Sequence, residues 1–284
     1  MKNFKKLALM GLTAVMSLSL LAACGGGNSG SAETPSGNTE TPAASGEFTT
    51  VEAGKLIMST NAQFPPYEMV GDGEGYEGTG YEGIDVEIAY AIAEKLGLEL
   101  VVDNMGFDAA LQAVQTGKSD IVMAGVTVTD DRLEVMDFSD TYANGIQVVI
   151  VPENSDIATI DDLEGKLIGC QMGTTGYIYC SDTPENGGYG EDAVIPYDDG
   201  AAAVQALMNG QVDCVVIDNA PAQEYVKANP GLKILDTEFA NENYAIGFAK
   251  GNTALKDAVN AALIELVEDG TVQSIIDKYI PAEG

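Results

Sequence analysis

The chain contains no histidine, no tryptophan and a single arginine, with 13 lysine and arginine residues set against 44 acidic ones. Without histidine, neither an imidazole base nor a Ser-His-Asp triad is available, so no catalytic residue is assigned. A formal net charge of −31 repels nucleic acid and anionic lipid, and no nucleic acid partner is expected. No G-x-x-x-x-G-K motif occurs, so no nucleotide is expected as a cofactor. No metal site is expected either. Beyond the amino-terminal stretch, no apolar run approaches the ~18 residues a membrane-spanning helix needs. Cysteine is scarce. Cys170 and Cys214 lie in the strand-like runs KLIGC and VDCVVI and read as small core residues, while a bridge of Cys170 with Cys180 or Cys214 stays open.

What is present begins with an export signal over residues 1–23: Lys2, Lys5 and Lys6, an apolar run from Leu7 to Leu21, then small residues before Cys24. This ending resembles the lipobox of bacterial lipoproteins. The resemblance implies lipidation of Cys24 and an anchor on the extracytoplasmic face of the cell membrane, where two or more acyl chains suffice for stable attachment. Residues 24–50 are rich in Gly, Ser, Thr, Pro and Asn and too poor in large apolar groups to order themselves, which makes them a tether.

The single arginine, Arg132, sits in MAGVTVTDDRLEVMDFSD, just after the buried-strand pattern Ile121 to Ala124. The carboxyl ends of parallel strands are where open α/β sheets place ligands, and a guanidinium fork grips a carboxylate or phosphate through paired hydrogen bonds. The plainer alternative is a surface pair with Asp130, Asp131 or Glu134, worth ~0–1 kcal/mol.

Along the chain, Lys55 to Ser59 reads as a strand, Ile84 to Leu96 as a helix stopped by Gly97, Leu98 to Val102 as a strand, and DAALQAVQTG as a helix. An internal echo follows. LQAVQTGKSDIVMAG, ending at Gly125, aligns with VQALMNGQVDCVVID, ending at Asp218, at a constant offset that pairs Asp120 with Asp213. Each copy reads as a helix, a glycine stop and a buried strand, half of a βαβ unit. The expectation is therefore two α/β lobes: lobe 1 from 51–143 plus 244–284, and lobe 2 from 144–243. The chain would cross between them near Tyr142 to Ile146 and near Ala240 to Tyr244, forming a two-strand hinge. In lobe 2, Gly173 and Gly176 bracket two threonines before a helix, an arrangement suited to anion binding by free amides.

Arg132 and Thr127 from one lobe and Thr175 from the other can hold a carboxylate. Asp218 and the Gly125 carbonyl can accept from an ammonium, and Phe64 and Phe107 offer apolar walls. Together these groups describe the α-substituents of a free amino acid.

The motifs FPPYE (Phe64 to Glu68), GIDVEIAYAIAEKL, AGVTVTDDR, DFSD, MGTTG and VIDNAPA, in this order over Lys55 to Tyr279, resemble the family 3 extracellular solute-binding proteins of amino-acid ABC importers. The resemblance implies a two-lobe, type II periplasmic-binding-protein-like α/β fold, delivery to a permease, a monomer, and the same roles for Arg132, Thr127, Thr175, Asp218, Gly125, Phe64 and Phe107. It also implies that Asn61, Gln171 and Ile217 face the ligand side chain. A neutral group at Asn61 favours a neutral polar ligand such as glutamine, whereas Asp72, Glu74, Glu77 and Glu82, should their loop reach the pocket, would favour a basic one. A same-fold enzyme that dehydrates amino-acid precursors, cyclohexadienyl dehydratase-like, and an amino-acid-sensing receptor subunit are the rival readings.

Overall fold

The computed structural model describes residues 48–281. In chain order the first half contains β1 (Lys55–Thr60), β2 (Gln63–Phe64), β3 (Glu68–Val70), β4 (Tyr81–Glu82), α1 (Ile84–Leu96), β5 (Glu99–Asn104), α2 (Phe107–Gln115), β6 (Ile121–Val122) and α3 (Asp130–Val135). The long β7 (Met136–Pro152) leads to β8 (Ile168–Gln171), α4 (Thr175–Ser181), β9 (Val194–Tyr197), α5 (Gly200–Met208), β10 (Cys214–Asp218), α6 (Asn219–Ala228) and β11 (Leu232–Ile234). The chain returns through β12 (Ala240–Ala249) and closes with α7 (Thr253–Glu268) and α8 (Thr271–Tyr279).

The principal sheet runs β5-β1-β6-β12-β7-β10-β8-β9, with β11 added to β7. It has two matching ends. At one, β1 lies parallel between β5 and β6; at the other, β8 lies parallel between β9 and β10. Between them β12 and β7 run antiparallel, from Ala240 opposite Gln147 to Ala249 opposite Met136. This is the two-lobe α/β build, with β7 and β12 as the strands shared by both halves. The expected crossings coincide with paired residues, Asn241 with Ile146 and Asn243 with Asn144.

The echo is visible in three dimensions. α2 and α5 occupy equivalent stretches, and Gly117 and Gly210 after them both adopt φ +69°, a left-handed turn that glycine accepts freely. Asp120 then accepts from the backbone N–H of Ile57 at 2.7 Å and of Val51 at 2.7 Å, while its counterpart Asp213 accepts from that of Leu167 at 2.8 Å. Each carboxylate thus ties the turn to the start of its lobe's first parallel strand.

β7 begins at Met136, so DFSD is strand; β12, far away in sequence, supplies its ladder, which local pattern cannot reveal. Cys170, Cys180 and Cys214 are buried free thiols in one apolar core with Val149, Val216 and Leu235, and no bridge joins them. None of the described helices is long and apolar enough to cross a membrane. The signal, Cys24 and nearly all of the tether lie outside the described residues.

Candidate functional site

The carboxyl ends of β1, β6, β8 and β10 point at one another across the middle of the molecule. Between them lies a cavity with about 330 Å³ of empty space, part of it open to solvent. Asn61, Phe64, Phe107, Gly125, Thr127, Arg132, Gln171, Thr175 and Asp218 all line it, so nine of the ten positions expected from the sequence to meet a ligand reach the same space, Ile217 being the exception. Glu68, Ala124 and Thr174 complete the wall.

Arg132 is only 8% exposed. The side chain of Thr129 caps α3 by accepting from the Arg132 backbone N–H, which sets the first turn and aims the guanidinium inward. Nη1 donates to the Thr127 carbonyl at 2.8 Å and Nη2 to the Gly173 carbonyl, across the cleft, at 3.2 Å. The ring of Phe107 lies 5.5 Å from the guanidinium carbon, within cation–π range. Burial lowers the Arg132 pKa, and the negative charge of Glu242 partly offsets this. No carboxylate among the described residues comes within salt-bridge distance, so the surface pairing with Asp130, Asp131 or Glu134 is not formed. A buried cation held only by neutral carbonyls retains donor capacity for an anion.

On the opposite side Asp218 ends β10. One carboxylate oxygen accepts from Gln147 Nε2 at 2.7 Å and the other from the Tyr244 hydroxyl. Tyr244 reaches it because Gly145, with no Cβ, leaves space for the tyrosine ring. Burial, and then the charge of Glu242, push the Asp218 pKa well above the usual carboxylate range. An arriving cation is what such a group needs in order to ionise.

Gly125, the echo partner of Asp218, sits at φ +54°, and its backbone N–H donates to Asp85 at 3.0 Å. A Cβ here would stand 2.9 Å from Phe64 Cε1. Thr127 donates its hydroxyl to Glu242 at 2.9 Å, and Gln147 Nε2 also reaches Glu242 at 3.1 Å. Glu242 and Gln147 therefore stand behind the clamp, joining it to both shared strands. Neither was singled out in the sequence, where Glu242 is one acidic residue among many. Glu68 belongs to the FPPYE motif, yet nothing local to that motif gives it a role.

The far wall is built from amides. Gln171 Nε2 donates to Asn61 Oδ1 across the cleft at 2.9 Å and to the Asp198 carbonyl at 3.2 Å, while Asn61 Nδ2 donates to the Met105 carbonyl at 2.9 Å. Thr174 caps α4 and Thr175 is buried beside it, although Gly176 lies within the helix and only Gly173 has positive φ. Ile217 is buried but does not line the cavity. The acidic loop does not reach it either. Asp72, Glu74, Glu77 and Glu82 are absent from the wall; Tyr76 packs edge-on against Tyr90 of α1 at 5.4 Å and draws the loop toward Lys278 of α8.

Lobes hinged by two shared strands, with a buried guanidinium and a buried carboxylate facing one cavity, define a binding protein for a small polar solute. The model of the bacterial extracellular solute-binding proteins, family 3, matches residues 56–282, and the chain belongs to that family. It is 34% identical over 231 residues to a probable histidine-binding protein of Neisseria gonorrhoeae, covering 80% of this chain and 83% of that one. It is 31% identical over 269 residues to the arginine-binding extracellular protein ArtP of Bacillus subtilis (strain 168), covering 93% of each. Among solved structures, an ancestral arginine-binding protein bound to glutamine superposes with a TM-score of 0.70 at 38% identity, covering 81% of this chain and 99% of that one.

Proposed function

We propose that the protein captures a free polar amino acid outside the cytoplasm and delivers it to the permease of an ABC importer. The observation that carries this is the meeting, around one cavity, of Arg132 from lobe 1 and Asp218 from lobe 2. In this reading Arg132 grips the α-carboxylate with Thr127 and Thr175. Asp218 and the Gly125 carbonyl take the α-ammonium, Phe64 and Phe107 cover the ligand, and Asn61 and Gln171 meet its side chain. The lobes comprise 51–143 plus 244–284 and 144–243. Contacts that already span the cleft, Arg132 to Gly173 and Asn61 to Gln171, are those a bound ligand would reinforce on closure. Residues 1–23 act as the signal, Cys24 carries the lipid anchor, residues 24–50 form the tether, and the protein works as a monomer.

The amide wall and the absence of the acidic loop from the cavity support a neutral polar side chain, glutamine-like. A basic side chain is the second reading, since these two relatives are histidine- and arginine-binding by their names, while an ancestral arginine-binding protein is found bound to glutamine and also to arginine. Calorimetric titration with the twenty amino acids tests both: tightest binding of glutamine is expected, tightest binding of a basic amino acid overturns the preference, and binding of none overturns the function. Turnover of an arogenate-like compound would favour the dehydratase instead, and its recovery unchanged favours binding alone. Loss of growth on the ligand after deletion supports transport over sensing.

A further inference from the structure

An ammonium carries three N–H donors, and a buried site must offer each an acceptor. The Gly125 carbonyl and Asp218 account for two. Glu68 lines the same cavity, is 0% exposed, and has no donor from the described residues at either carboxyl oxygen. We propose that Glu68 accepts the third N–H of the ligand's ammonium, completing a cradle with the Gly125 carbonyl and Asp218. This rests on the amino-acid reading of the cavity.

The placement follows from the small second sheet. Glu68 pairs with Phe64 across β2 and β3, which sets its side chain beside the aromatic wall and under the Gly125 turn. Its neighbour there is Asp85, at the start of α1. Both Asp85 oxygens are taken, one by the Gly125 N–H at 3.0 Å and one by the Tyr142 hydroxyl at 2.7 Å. Of two facing buried carboxyls, the one whose charge is stabilised by hydrogen bonds ionises first and the other keeps its proton. Burial, then the charge of Asp85 and a hydrogen bond that the Glu68 acid donates to it, and then the charge of Asp218, hold Glu68 protonated well above the usual carboxylate range, leaving its oxygens free as acceptors. Burial raises Asp85 itself to about 6. The other titratable groups near Glu68 are the phenols of Tyr67 between β2 and β3, Tyr142 on β7 and Tyr225 on α6. None supplies a positive charge; the ligand does.

Binding then carries a defined proton balance. The Glu68 carboxylic acid meets the ligand's ammonium, the two form a carboxylate–ammonium contact, and the acid's proton leaves to solvent. Affinity should therefore rise with pH until Glu68 ionises in the unloaded protein.

The test is calorimetric titration of the parent, Glu68→Gln and Arg132→Ala with the tightest-binding amino acid. Buffers of different ionisation enthalpy near neutral pH give the proton count, and thermal melts check folding. The parent should release protons on binding, whereas Glu68→Gln, folded, should release fewer and bind about 10-fold more weakly, as when a charge-assisted bond becomes a neutral one. Unchanged affinity and proton release in Glu68→Gln, with binding lost in Arg132→Ala, overturns the proposal and leaves the amino-acid reading standing. If Glu68→Gln fails to fold, Asp218→Asn decides: proton release that persists on binding without the Asp218 acid supports the proposal, and its absence overturns it. A parent that binds no amino acid overturns both.

Discussion

The units α2–β6 and α5–β10 are built alike, yet they deliver opposite kinds of end. Each has a helix, a glycine at φ +69° and an aspartate tying the turn to the lobe's first parallel strand. The first unit ends in Gly125, at φ +54° against Phe64, where a side chain does not fit and only backbone is presented. The second ends in Asp218, whose φ of −64° and ψ of 148° suit any residue and leave a carboxylate free to be chosen. One scaffold thus supplies a carbonyl from one half and an acid from the other. Chemistry at such a site is set by the last residue of the strand, while the unit behind it, built alike in both halves, places that residue.

The largest expected effect comes from the residue that has no echo. Arg132→Ala leaves the ligand's carboxylate buried without its partner, at ~2–5 kcal/mol, a loss of roughly 30- to several-thousand-fold in affinity by calorimetry. Asp218→Asn, which keeps shape and removes charge, should weaken binding by ~1.5–3 kcal/mol, roughly 10- to 150-fold, with little change in melting temperature. Gly125→Ala should behave differently. It costs ~1–3 kcal/mol of stability from the left-handed backbone and the pressed Phe64 ring, and it weakens binding as well. Equal stability in Gly125→Ala and Asp218→Asn would dissolve the contrast between the two ends.

The tying aspartates allow a finer comparison. Asp120 is 3% exposed and takes two backbone N–H groups, whereas Asp213 takes one at the surface. Asp120→Ala should cost ~1–3 kcal/mol in denaturant unfolding and Asp213→Ala less than ~1 kcal/mol. The smallest effect is a pH dependence. The folded-state pKa of Asp85, about 6, is raised above its ordinary 3.8, so the stability gained by protonating it is complete below 3.8 and lost as pH rises through about 6. The melting temperature of the parent relative to Asp85→Asn should therefore fall across that window.

Much of this was legible in the chain because the relevant signals are local or repeated. The constant offset between the echo strings forecast equivalent units. The isolation of Arg132 among acids marked it, and glycines at 97, 117 and 210 marked helix stops. What remained hidden depends on distant partners. The start of β7 needs β12 as its ladder, Glu242 gains meaning only beside Thr127 and Gln147, and Glu68 matters because Asp85 is packed against it. The acidic loop misled for the same reason: its charges suggested a role at the pocket, while Tyr76 anchors it to α1 instead.

The most direct measurement is a crystal structure with the tightest-binding amino acid. It should show the ligand's carboxylate within hydrogen-bond distance of Arg132 and its ammonium at the Gly125 carbonyl and Asp218. A ligand seated elsewhere, or lying with its ammonium toward Arg132, would contradict the account.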